Sequence, residues 1–64
     1  MKNDIAKRRT DRGWSQAHLA EELGVSRQTI ISLEKGRFDP SLPLAFRLAG
    51  LFGARIEEIF QPED

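Results

Sequence analysis

Residues 15–36 read SQAHLAEELGVSRQTIISLEKG, and the fold turns on this stretch. Ser15 and Ser26 each stand just before an apolar-periodic run, where a hydroxyl can accept a hydrogen bond from a first-turn backbone N–H. Leu19 and Leu23 are four residues apart and define one buried stripe. Gly24 and Gly36 follow the two runs as stop signals. Two short helices joined by Gly24-Val25-Ser26 cannot lie antiparallel, and so tight a turn gives a steep crossing near 90–120°. Val25 fills the gap between them.

The second of these helices contains two adjacent isoleucines, Ile30 and Ile31. Neighbours on a helix diverge by about 100°, so with Ile30 and Leu33 turned inward, Ile31 points elsewhere. Its face collects Gln28, Ser32 and Lys35, with Arg27 on the N-terminal flank, while Thr29 and Glu34 lie on the boundary. Arg pairs with guanine, Gln with adenine, Ser with several partners, and an aliphatic side chain with the thymine methyl. A single exposed aliphatic is also ordinary on any surface, and for Ile31 taken alone both readings stand.

Outward from this pair, the chain parses into three further short helices. Helix 1 spans about Asn3 to Arg12 and stops at Gly13, with a thin apolar face of Ile5 and Ala6. The turn Phe38-Asp39-Pro40-Ser41-Leu42-Pro43 leads into helix 4, begun by Ser41 and Pro43. Its apolar face is Leu44, Ala45, Leu48, Ala49 and Phe52, ending at Gly53. Helix 5 spans Ile56 to Phe60. No strand-like alternation is evident, so the class is all-α. Residues 1–60 read as one domain and 61–64 as a loose tail.

Sixty-four residues hide only about 60% of the surface their unfolded chain exposes, which leaves little room for an enzyme cleft. The absence of cysteine removes disulfides and thiolate metal sites. The longest apolar run, Leu48 to Ala54, falls far short of the roughly 20 residues of a membrane span. A soluble, cytoplasmic protein without cofactor is expected. The net charge is zero, but residues 1–37 carry eight Lys/Arg against five Asp/Glu and residues 38–64 carry two against five. A basic front and an acidic back suit a protein that turns one side to a polyanion.

The motif Ser15-Gln16, Leu19-Ala20, Leu23-Gly24-Val25-Ser26, Ile30, Leu33-Glu34 and Gly36, in this register, resembles the Cro/CI-type or XRE family of helix-turn-helix regulators. The resemblance extends from about Asn3 to Phe60. It implies a compact five-helix, lambda repressor-like domain that binds double-stranded DNA and regulates transcription, typically as a repressor and a two-fold dimer on a palindromic operator. It puts base reading on Arg27, Gln28 and Ser32, with Ile31 on the same face. Phosphate contacts fall on Ser15 and Gln16 at the start of helix 2 and on Lys35 to Arg37 after helix 3. Arg9 and Glu34 match a structural pair joining helices 1 and 3. Four positions depart from the pattern: Arg8 where an apolar residue is common, His18 where a capping-box acid is usual, Gly50 inside helix 4, and Arg55 where Ser or Thr caps helix 5.

Other readings of these residues are blunter. Lone His18 has no second histidine with which to build a metal site. Glu21-Glu22 and Glu57-Glu58 are adjacent pairs that diverge on a helix and read as solvated rather than catalytic. Trp14 reads as a core plug. Ile56, Ile59 and Phe60 are many apolar groups for one short helix, and they form the expected dimer surface. The competing function is a protein-interaction module on the same fold, which would more naturally expose Leu, Met or aromatics on helix 3 than Arg27, Gln28, Ser32 and Lys35. No small-molecule ligand is evident.

Overall fold

The computed structural model describes residues 1–62. Five helices, α1 (Ile5–Asp11), α2 (Gln16–Leu23), α3 (Arg27–Glu34), α4 (Leu42–Phe52) and α5 (Ile56–Ile59), account for most of the chain. Three of them begin as their sequence dictates. The hydroxyls of Ser15, Ser26 and Ser41 accept from the N–H groups of His18, Thr29 and Leu44. Each bond satisfies a first-turn donor that the helix itself cannot.

Helix 1 starts later than its sequence suggests, because Asn3 is not helical. Its carboxamide oxygen accepts from the Ile5 N–H at 3.1 Å and so performs the cap's task one residue early. Asn3 belongs instead to a two-residue strand, β1 (Lys2–Asn3), antiparallel to β2 (Phe60–Gln61), with Lys2 opposite Gln61 and Asn3 opposite Phe60. These two short strands add to an all-α fold without changing its class, and Gln61 pairs with Lys2 rather than lying in a tail; residues 63–64 lie outside the described part. Arg55 makes no side-chain cap bond at α5, as its chemistry requires, but the Glu58 carboxylate accepts from the Arg55 N–H at 2.7 Å. That reciprocal bond supplies half of a cap, so Glu58 is exposed yet engaged.

The core is one cluster: Ile5 from α1, Leu19, Ala20 and Leu23 from α2, Ile30 and Leu33 from α3, Leu44, Ala45, Leu48 and Phe52 from α4, then Ile59 and Phe60. Trp14 and Val25 pack against it. Trp14 also stacks on Phe52, with ring centroids 6.2 Å apart, and the Arg12 guanidinium lies over both rings. Arg8 supplies no apolar packing surface of the usual kind; it is half-buried and donates to Asp4 at 2.8 Å. Among the described residues, no buried side-chain nitrogen or oxygen lacks a partner.

Candidate nucleic-acid interface

The orientation of α3 follows from its two buried anchors, Ile30 and Leu33, both at 0% exposure. With these turned inward, Arg27 and Gln28 emerge into solvent at the helix start, and Lys35 and Arg37 at its end. The side chains of these four make no hydrogen bond or ion pair with other described residues. Ile31 and Ser32 are half-buried, and Ile31 is not among the partly buried apolar residues that pack on the core. The outward face predicted from the helical wheel is therefore present, with its middle residues more sheltered than its ends.

The turn before α3 depends on Gly24, whose φ of 68° is left-handed. A side chain there would be strained by that conformation, and its Cβ would stand 3.2 Å from a guanidinium nitrogen of Arg47. That nitrogen donates to the Leu23 carbonyl, one of the orphan acceptors at the end of α2. Arg47, on α4, thus fastens the turn from outside the two-helix unit. Nothing in the local sequence marks it for this task.

The C-terminal end of α3 is tied to the N-terminal part of the chain. Arg9 approaches Glu34 with two donors, Nε to Oε2 at 2.6 Å and Nη2 to Oε1 at 3.2 Å, and its third nitrogen donates to the Trp14 carbonyl at 2.8 Å. The side chains are 13% and 7% exposed, so this is a sheltered bidentate pair joining α1 to α3. Asn3 donates to the Leu33 carbonyl at 2.8 Å, and the Met1 ammonium donates to the Gly36 carbonyl at 3.1 Å. Gly36 must lack a side chain, since its Cβ would meet the Met1 carbonyl oxygen at 2.8 Å. Sequence reasoning missed this N-terminal brace because it placed Asn3 inside a helix.

Gln16 stands at the first position of α2, but its amide nitrogen is turned to Glu34 Oε1 at 3.1 Å. One of its amide protons is thereby committed to the ion pair, and at this helix end the first-turn backbone N–H groups before His18 have no acceptor within the helix. Ser15 uses its hydroxyl to cap the helix. His18 is exposed, tilted against Trp14 and 3.5 Å from Glu22.

The surface expected for a partner subunit is different from the one the structure presents. Ile59 and Phe60 are 0% and 5% exposed and lie in the chain's own core; only Ile56 is half-buried. The cause is the β1–β2 pair, which folds the end of α5 back: Asp4 donates its N–H to the Ile59 carbonyl at 3.1 Å, and Phe60 lies opposite Asn3. The large apolar residues that do face solvent are Leu42 (64%), Phe46 (60%) and Phe38 (38%).

A cleft of about 230 Å³, lined by residues such as Met1, Pro40, Ala45 and Ile56, lies beside Leu42. It is smaller than the roughly 300 Å³ at which small-molecule sites begin. Among the described residues no group of three His, Cys, Asp or Glu could hold a metal, and no helix is long and apolar enough to cross a membrane.

Two helices joined by a three-residue turn, the second anchored by its inner face and carrying outside it basic and amide side chains unengaged among the described residues, define a helix-turn-helix DNA-binding domain. The helix-turn-helix family model matches residues 5–59, and the chain belongs to that family, the XRE-type transcriptional regulators. It is 55% identical over 64 residues to an uncharacterized helix-turn-helix-type transcriptional regulator of Methanocaldococcus jannaschii, covering 100% of this chain and 97% of the relative. To a similarly described regulator of Bacillus subtilis it is 41% identical, with the same coverage. A hypothetical transcription factor from Neisseria superposes with a TM-score of 0.76 at 25% identity, over 86% of this chain and 62% of that one. A transcriptional regulator from Listeria innocua shares the fold at a TM-score of 0.76 and 20% identity, over 100% of this chain and 64% of the other. The chain thus spans under two thirds of each of these two solved chains.

Proposed function

We propose that this regulator is a sequence-specific repressor that sets α3 into the major groove and binds a palindromic operator as a two-fold dimer. The observation that carries the reading is the state of Arg27 and Gln28: exposed, with no hydrogen bond or ion pair among the described residues, at the N-terminal end of a helix held at both ends. Arg and Gln make bidentate bonds to guanine and adenine, and side chains already engaged in the fold would have to break bonds to do so. Ile31 and Ser32 lie beside them, and Ile31, with no charge or polar group, contributes by apolar contact with a thymine methyl. The backbone N–H groups at the start of α2, together with Lys35 and Arg37, take the flanking phosphates. Repression requires only that an occupied operator exclude other proteins, and a cytoplasmic location suits a DNA-binding protein with archaeal and bacterial relatives.

A protein-interaction module would carry its apolar patch on α3, whereas the exposed Leu42 and Phe46 sit on α4. Selection of bound sequences from a random duplex pool tests the proposal. The expected result is a palindrome whose half-sites are about 34 Å apart centre to centre, bound with an affinity that falls steeply with salt, by a slope of about 0.9 per phosphate neutralised. A pool that enriches no sequence, or binding indifferent to salt, overturns it.

A further inference from the structure

The turn between α2 and α3 is held from within by the core and from the solvent side by an exposed side chain. Within, Leu19, Ala20 and Leu23 of α2 and Ile30 and Leu33 of α3 are buried, and Val25 packs against the same cluster. From the solvent side, Arg47 of α4 donates to the Leu23 carbonyl, 24 residues away in sequence. The backbone donors of the turn are already committed: the Gly24 N–H bonds the carbonyls of Ala20 and Glu21, and the Val25 N–H bonds that of Ala20 at 3.0 Å. Leu23, the last residue of α2, takes its donor from another element.

The exposure of Arg47 decides what this contact does. A surface carbonyl that loses a guanidinium donor gains a water, so the bond adds little to folding. It does fix position. The guanidinium lies against Gly24, where a Cβ would stand 3.2 Å from its nitrogen, so Arg47 both bonds the end of α2 and blocks the turn from swinging toward α4. It also sets a cation at the C-terminal end of α2, the favourable sign for that end. At the open end of the unit, the Gln16–Glu34 hydrogen bond of 3.1 Å spans the same two helices. These two ties keep α2 and α3 at one angle. With the tie at the turn gone, a swing of about 5° over the roughly 12 Å of an eight-residue helix displaces its far end by about 1 Å. That is about twice the roughly 0.5 Å within which a recognition contact must be held.

We infer that Arg47 is a positioning residue for DNA binding: from α4, without touching the duplex, it holds the turn so that the start of α2 and the outer face of α3 meet phosphates and bases together. The inference rests on the major-groove reading proposed above and adds to it a residue outside the two-helix unit. Its loss acts selectively. A specific site needs both helices in register, whereas random duplex is held by charge and tolerates a loose fit. Two substitutions separate the bond from the bulk and the charge. Methionine keeps an unbranched stem and removes the donor. Lysine keeps the charge and a donor, but as a point on a mobile stem, without the planar group that lies on Gly24.

The test compares the full-length parent with Arg47→Met and Arg47→Lys by thermal melting, by amide exchange, and by affinity for the selected operator and for random duplex over a range of salt. Arg47→Met is expected to melt within about 3 °C of the parent and to exchange faster at Gly24 and Val25. It loses about tenfold affinity for the operator and less than about twofold for random duplex, with an unchanged salt slope. Arg47→Lys recovers part of the operator affinity. Equal losses on both DNAs with a slope smaller by about 0.9 make Arg47 a phosphate ligand and overturn the inference. Operator binding equal to the parent's also overturns it, as does a fall in Tm of more than about 8 °C, which makes the contact a general support of the fold. If Arg47→Met does not fold, Arg47→Lys decides: selective weakening on the operator upholds the inference, and parental binding overturns it. A parent that binds no DNA removes the major-groove reading, and faster exchange confined to the turn in Arg47→Met then still upholds the clamp, while unchanged exchange removes that too.

Discussion

Ile30 and Ile31 share a chemistry and a helix, but only Ile30 is in the core, at 0% exposure, and Ile31 is half-buried away from it. Replacing Ile30 with alanine leaves a cavity and should cost about 2–5 kcal/mol. Replacing Ile31 should cost under about 1 kcal/mol and instead relax preference at one thymine of the operator. Melting curves and site selection on this adjacent pair check both statements, and a globally unfolded Ile31→Ala would end its role in the groove. Glu34 behaves in the opposite way: it is charged but structural. Its carboxylate faces the two Arg9 donors and the Gln16 amide, so Glu34→Ala strands a sheltered guanidinium and should destabilise the protein by about 3 kcal/mol or more in chemical denaturation. A variant that melts with the parent would show the pair to be dispensable. At this scale the partners Arg9 and Glu34 were legible through the family motif; the commitment of Gln16 to that pair was not, because a side chain's choice between an internal acceptor and an external phosphate depends on distances that spacing does not encode.

The helices were legible where local chemistry alone decides them. A serine hydroxyl can reach only the donors of its own first turn, so the starts of α2, α3 and α4 follow from Ser15, Ser26 and Ser41 wherever the rest of the chain goes. The two-residue strands were illegible for the converse reason: two residues carry no alternation, and their pairing joins Lys2 to Gln61 across almost the whole chain. The same omission misplaced Ile59 and Phe60, whose burial depends on that return. The cap of α5 is the element with room for improvement, since Arg55 offers no acceptor while Glu58 already bonds its N–H. Arg55→Ser should add the missing half and raise stability by about 1 kcal/mol, which for a domain of this size is a rise of about 4–8 °C in Tm. An unchanged Tm would mean that the end of α5 frays without consequence for the fold. Ser26→Ala should move in the other direction by a similar amount, because its hydroxyl bonds the Thr29 N–H at the start of α3.

In the whole molecule, the segment before α1 braces the end of α3, 30 residues away in sequence. Asn3 bonds both the Leu33 carbonyl and the Ile5 N–H, and Asn3→Ala should cost about 1–3 kcal/mol by leaving partly buried groups unpaired. Amide exchange should quicken at Ile5 in that variant, and exchange identical to the parent's would show that water replaces the side chain without loss. Against this dense bracing, the freedom of Arg27 and Gln28 has a consequence for how such regulators diversify. Among the described residues neither side chain makes a hydrogen bond or ion pair, so exchanging either should alter stability by no more than about 0.5 kcal/mol. On the proposed reading of the groove, a lineage can therefore rewrite its DNA address one residue at a time without passing through an unfolded intermediate. Gene duplicates can then drift to separate DNA sites, and a library randomised at positions 27 and 28 should yield mutually indifferent regulators from one unchanged scaffold.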